Sequence, residues 1–149
     1  PTTVTAHAAV NTVAIAPGSG PLAEAIGVEL FNAGVTVVDA SKVGEIVGRV
    51  GLREFEVTSS NGLAALREKG IDAVLVAKAV DGSDGRPESA SIRVTETSGG
   101  QMVAGATWQN GWGGMSGSMA DRMKRKNLVG AAKEIAAALM RQLRPLAKK

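Results

Sequence analysis

The sequence predicts an α/β fold, a mixed sheet flanked by helices, and three observations predict it. The segment from Val13 to Asp39 reads strand, glycine loop, helix, strand, the order of a parallel β-α-β unit. From Ala90 to Trp108 apolar and polar residues alternate with a period of two, as in strands with one buried face. Leu128, Ala132, Ile135, Leu139 and Leu143 then recur at helical spacing, marking a long C-terminal helix. The 149 residues predict one domain over 1–149, with residues 1–11 flexible and 144–149 a flexible tail.

Val13 to Ala16 is a short apolar run closed by Pro17-Gly18-Ser19-Gly20, and Pro21 sits where a first helical turn tolerates it. Leu22, Ile26 and Leu30, with Phe31 beside them, predict the buried stripe of the first helix, and Gly34 its C-terminal stop. Val35 to Asp39 is the second strand. Ser41 is the expected cap of the second helix, whose stripe is Val43, Ile46, Val47 and Val50. Asn61 to Lys69 forms a short helix ending at Gly70, and Ile71 to Val80 is a strand apolar on both faces, hence central.

The turn cluster Asp81 to Pro87 leads to Ala90, Ile92 and Val94 alternating with Ser91, Arg93 and Thr95. Ser98-Gly99-Gly100 turns the chain into Met102, Ala104, Ala106 and Trp108, so residues 71–109 predict an antiparallel meander of three strands. Residues 109–118 are glycine-rich and expected to be mobile or held by a partner. Ser118 and Asp121 resemble a capping box opening the final helix, and Pro145 is expected to stop or fray it.

Composition narrows the chemistry. There is no cysteine, which excludes disulfides, thiolate metal sites and a cysteine nucleophile, and the one histidine, His7, lacks partner ligands. No G-x-S-x-G elbow raises a serine above background, and Glu54, Glu56, Asp81 and Asp84 sit in polar stretches where solvated acids are the default. No catalytic residue, cofactor or metal is therefore expected. Four aromatic residues, Phe31, Phe55, Trp108 and Trp112, give little basis for base stacking, so nucleic acid is not an expected partner.

Charge is uneven. Residues 1–120 carry 8 Lys+Arg against 12 Asp+Glu, a net −4, while residues 121–149 carry 9 against 2, a net +7. A basic end of this kind is a solvated helix face or a contact to acidic partners or anionic lipid. No apolar run approaches the roughly 18 residues of a spanning helix. The start has no leader pattern, and a trimmed mature product is one expectation for it.

Two local patterns have functional readings. Gly18-x-Gly20-x-x-Ala23 between a strand and a helix, with Asp39 ending the next strand, is the layout of a dinucleotide site. The second β-α-β half of that fold is replaced here by the meander, and a plain strand-to-helix turn gives the same pattern. Trp108 and Trp112 bracket the start of the glycine-rich stretch; Met115 and Met119 add apolar area, and Arg122, Lys124, Arg125 and Lys126 add charge. Those eight residues are the expected interaction surface. For Trp108, which shares the parity of Met102, core packing is the competing reading.

The strand Gly70-Ile71-Asp72-Ala73-Val74-Leu75-Val76, the alternating strand Ser91 to Thr97, the run Ser98-Gly99-Gly100-Gln101-Met102-Val103-Ala104, the V-T-V-V-D start and the long last helix together resemble the curli secretion-channel (CsgG) family. The likeness spans roughly residues 12–143. The same architecture is similar to the amino-terminal domain of TolB, to outer-membrane lipoprotein activators of penicillin-binding proteins, and to the lipoprotein component of Pel exopolysaccharide export. Channel members carry inserted hairpins that build a barrel, whose spanning strands need about 9 to 11 residues each. The turns at 81–88 and 98–100, and the stretch 54–61, are too short to hold them. The resemblance implies a non-enzymatic accessory protein of the periplasm or outer membrane, commonly lipid-anchored and often ring-forming. Its implied partners are further copies of itself, other envelope proteins and a possible membrane surface. The alternative is a small Rossmann-like nucleotide-binding domain using Gly18, Gly20 and Asp39.

Overall fold

The structure, a computed structural model, describes residues 10–110 and 126–147. Five strands form one sheet: β1 (Thr12–Ile15), β2 (Thr36–Val38), β3 (Ala73–Asp81), β4 (Pro87–Glu96) and β5 (Met102–Gln109). Their order across the sheet is β2-β1-β3-β4-β5. β1 pairs parallel with β2 and β3, whereas β3, β4 and β5 pair antiparallel in sequence order. The mixed sheet is thus the predicted β-α-β start joined to the predicted meander, and β3 belongs to both.

Helices α1 (Gly20–Asn32) and α4 (Leu128–Ala147) cover one face; α2 (Ala40–Arg49) and α3 (Ser60–Glu68) cover part of the other. The period-two rule divides the strand residues between two cores. Val13, Ile15, Ala73, Leu75, Ile92 and Val94 pack with Ile26 and Leu30 of α1 and with Ile135, Leu139 and Leu143 of α4. Ala14, Ala16, Val74 and Val76 pack instead with Val43 and Val47 of α2 and Leu63 and Leu66 of α3. No residue of β4 or β5 belongs to this second core, so the second face of the meander carries no described helix.

Several local details depart from the sequence reading. The cap of α2 is Asp39, whose Oδ1 accepts the Lys42 N–H at 2.9 Å, and not Ser41. Asp39 stands outside β2 in extended backbone, the conformation an N-cap requires. Val50 is 57% exposed because α2 ends before it, and Phe31 is 65% exposed because one residue of helix turns it about 100° from Leu30. Met102 is turned out by a register irregularity between Val94 and Thr95, where Val94 faces Ala104 but Thr95 faces Met102. Val10, within the expected flexible start, is buried at 2% exposure.

The final helix carries the expected stripe, but it begins at Leu128 and runs past Pro145 to Ala147. Asn127 caps it, its Oδ1 accepting the Gly130 N–H at 2.8 Å. Pro145 lies in the last turn, where it removes a single hydrogen bond. Ser118 and Asp121, the expected capping pair, lie outside the described residues.

Two close approaches fix the layers. Gly27 puts α1 against the sheet: a Cβ there would stand 3.3 Å from both Ile15 Cδ1 and Val37 Cγ1. At Gly62 a Cβ would collide with the Glu56 and Val57 carbonyl groups, so the first turn of α3 rests on the 3-10 turn at Glu54–Glu56.

The strand β5 is an edge, and α4 protects it. Gln142 donates from Nε2 to the Gly105 carbonyl at 2.8 Å and accepts the Gly105 N–H on Oε1 at 2.9 Å. Its amide thus occupies the positions a neighbouring strand would use.

Leu139 is fully buried between the sheet and α1. Leu139→Ala is expected to lower unfolding free energy by about 2–5 kcal/mol, measured by denaturant titration. A change under about 0.5 kcal/mol, typical of a surface site, would contradict the docking of α4.

Candidate interaction site

Of the eight residues expected to form an interaction surface, Trp108 and Lys126 are described; Trp112, Met115, Met119, Arg122, Lys124 and Arg125 lie outside the described residues. The two described ones come together. Trp108, on the α4-facing side of β5, is half-buried against the first core, and its indole N–H donates to Glu134 Oε1 at 2.8 Å. Lys126 Nζ stands 3.4 Å from Glu134 Oε2. One carboxylate therefore holds both, and both contacts are solvent-exposed.

Asn110 makes the junction firmer, and no sequence signal singled it out. At 5% exposure its Nδ2 donates to the Pro87 carbonyl at 2.7 Å and the Lys126 carbonyl at 2.9 Å, while its Oδ1 accepts the Lys126 N–H at 2.8 Å. The Asn110 backbone N–H donates to the Glu88 carbonyl at 2.9 Å. Every polar atom of this amide faces a backbone group, so the chain leaves the sheet at 110 and returns at 126 at a single place. An asparagine before a glycine reads locally as a turn residue; its long-range partners 16 and 23 residues away are invisible to spacing rules.

The residues of the nucleotide reading do not converge. Gly18 and Gly20 have φ of +82° and +85°, and they line a cleft of about 480 Å³ between the start of α1 and the end of β3. This is the place where the strand connections diverge, the usual ligand crevice of an open α/β sheet. Ser19, however, turns its hydroxyl inward, where Oγ accepts the Ala77 N–H at 3.3 Å, and the lining includes one base, Lys78, and one acid, Asp81. Asp39 opens onto a different groove, beside Glu24, Val28 and Phe31, with its carboxylate engaged in capping α2. Among the described residues no cluster of acids and histidine has the makings of a metal site, and no helix is long and apolar enough to cross a membrane.

No protein-family model matches the sequence, and no curated protein does. Solved structures resemble the chain to different degrees. Lipoprotein GNA1162 from Neisseria meningitidis superposes with a TM-score of 0.53 at 21% identity, over 85% of this chain and 96% of that one. A looser likeness links the chain to a PelC dodecamer from Paraburkholderia phytofirmans (TM-score 0.46, 15% identity, 95% and 94% of the two chains). Another links it to the LpoB C-terminal domain from Escherichia coli (TM-score 0.42, 19% identity, 72% and 84%). The fold is therefore one also found in a Neisseria lipoprotein.

Asn110→Asp tests the junction. A carboxylate there would face two carbonyl oxygens, so its neutral form is favoured in the folded protein and its folded pKa rises above the unfolded value of about 3.9. The variant is expected to be nearly as stable as the parent below about pH 4 and to lose about 2–3 kcal/mol as pH rises through that raised pKa to 7. Chemical denaturation at both pH values checks it; a loss independent of pH would contradict the amide pairing.

Proposed function

We propose that this protein is a non-enzymatic accessory component of bacterial envelope assembly or export, placed in the periplasm or at the outer membrane, and that it acts through protein–protein contacts. The fold it has in common with a Neisseria lipoprotein supports the compartment, and the same likeness favours a lipid anchor on the full-length precursor. The CsgG/TolB-like grouping suggested by the strand motifs is part of this proposal. The absence of cysteine and the single histidine in the sequence favour binding over catalysis.

The observation that carries the reading is the junction of Asn110, Lys126, Trp108 and Glu134. The junction brings residues 110 and 126 to one buried point, and two chain ends held so close suit a contact element between them. In this proposal Trp112, Met115 and Met119 supply apolar contact area to a partner, while Arg122, Lys124 and Arg125 attract acidic subunits or anionic lipid.

Fractionation of cells expressing the tagged native gene tests the compartment: recovery with the envelope fraction is expected, and recovery with the cytoplasm would contradict it. Trp112→Ala tests the contact. It is expected to leave melting temperature nearly unchanged and to weaken self-association or liposome flotation; a variant matching the parent in both would remove Trp112 from the surface. Calorimetry with NAD and ATP at millimolar concentration is expected to show no saturable binding, and binding abolished by Asp39→Ala would restore the nucleotide reading.

A further inference from the structure

Two exposed surfaces of this chain complement each other in charge and apolar content. The first is the half of the sheet's second face that no described helix covers. There Lys78 and Arg93 project from β3 and β4, flanked by Val80 (60% exposed) and Met102 (59%). Val76 pairs with Arg93 and packs on the second core, which fixes the face on which Lys78, Val80 and Arg93 lie. Arg93 is opposite Gly105, and a Cβ on Gly105 would stand 3.4 Å from the Met102 sulfur, so Met102 lies on that same face. Neither cation has an ion pair among the described residues, and Ser89, Ser91, Thr95, Thr107 and Gln109 share this face with them.

The second surface is the groove of about 230 Å³ between α1 and β2. Its floor is Gly27, Ile15 and Val37; Val28 (58% exposed) and Phe31 (65%) form the apolar wall, and Glu24 and Asp39 are its charges. Glycine at 27 is what brings the floor so near the sheet. The described lining of the groove holds two acids, Glu24 and Asp39, whereas Lys78 and Arg93 are two bases on the sheet face.

We propose that this sheet face of one copy seats on the α1–β2 groove of a second copy. Phe31 and Val28 then meet the apolar residues of the sheet, and Glu24 and Asp39 meet Lys78 and Arg93. This rests on the reading of the chain as a protein that works through protein contacts, and it names one such partner. The two surfaces lie at opposite ends of the sheet order and on opposite faces, so one molecule cannot satisfy both by itself. The contact is head-to-tail, and it repeats into a ring or a filament.

Sedimentation velocity across a concentration series tests it. The parent is expected to self-associate, with affinity falling about tenfold or more between 50 and 500 mM salt, because the facing charges are screened. Lys78→Glu with Arg93→Glu makes both surfaces acidic. Glu24→Lys with Asp39→Asn makes both basic and keeps an amide able to cap α2. Each double variant is expected to be a folded monomer alone, and an equimolar mixture is expected to regain the parent's assembly, because every interface in an alternating array is again opposite in charge. Phe31→Ser, at a site exposed in the monomer, is expected to weaken association without lowering stability. A monomeric parent, a double variant that assembles as well as the parent, or a mixture of folded variants that stays monomeric overturns the proposal. So does a parent that stays monomeric but binds anionic vesicles through Lys78 and Arg93. A monomeric parent recovered in the envelope fraction would remove this contact and leave the envelope reading in place.

Discussion

The fold depends on β3 being apolar on both faces. It is the one strand shared by the parallel and the antiparallel halves of the sheet, with β1 on one side and β4 on the other. Its odd residues, Ala73, Leu75 and Ala77, must suit α1 and α4, while Val74 and Val76 must suit α2 and α3. A polar residue at any of the first positions would leave a group buried without a partner, at about 1–3 kcal/mol. Further along, Lys78 and Val80 replace the valines on the second face, and there the helices stop. One strand thus sets how far the described helices cover the second face.

Polar pins close the two ends of this arrangement. At one end the Asp72 carboxylate accepts the Asn11 and Thr12 N–H groups at 2.9 and 3.0 Å, tying the start of β3 to the start of β1. Thr97, buried after β4, donates its hydroxyl to the Ile71 carbonyl at 2.8 Å. At the other end the Asn110 amide joins β4, β5 and the approach to α4. Buried amides and hydroxyls of this kind are costly unless fully paired, so they specify register rather than add bulk stability. The Asn110–Lys126 junction lies at the second of these ends, where one amide satisfies backbone groups on both sides of the connection.

Much of the architecture was legible in the sequence because it is written in periods. The two-sided apolarity of Ala73 to Ala77, the alternation of Ala90, Ile92 and Val94, and the stripe from Ala132 to Leu143 each have a single packing solution. Caps and parity were less legible. Asp39 and Ser41 are both good N-cap types, and only the turn after β2 decides between them; the parity of Met102 is broken by an irregularity that no local pattern announces. At the candidate site, the tryptophan and the basic cluster stood out by composition. Asn110 and Glu134 did not, because their roles come from neighbours distant in sequence.

The central claim, that β3 joins both halves into one cooperative unit, is tested most directly by native-state hydrogen exchange. The amides of Val74 to Ala77 are expected to be among the slowest, exchanging through the same opening as the buried amides of β1, β4 and α4 and with the free energy of global unfolding. Exchange of β4, β5 and α4 at a distinctly lower free energy than β1, β2 and α1 would contradict it, showing two halves that open separately across β3.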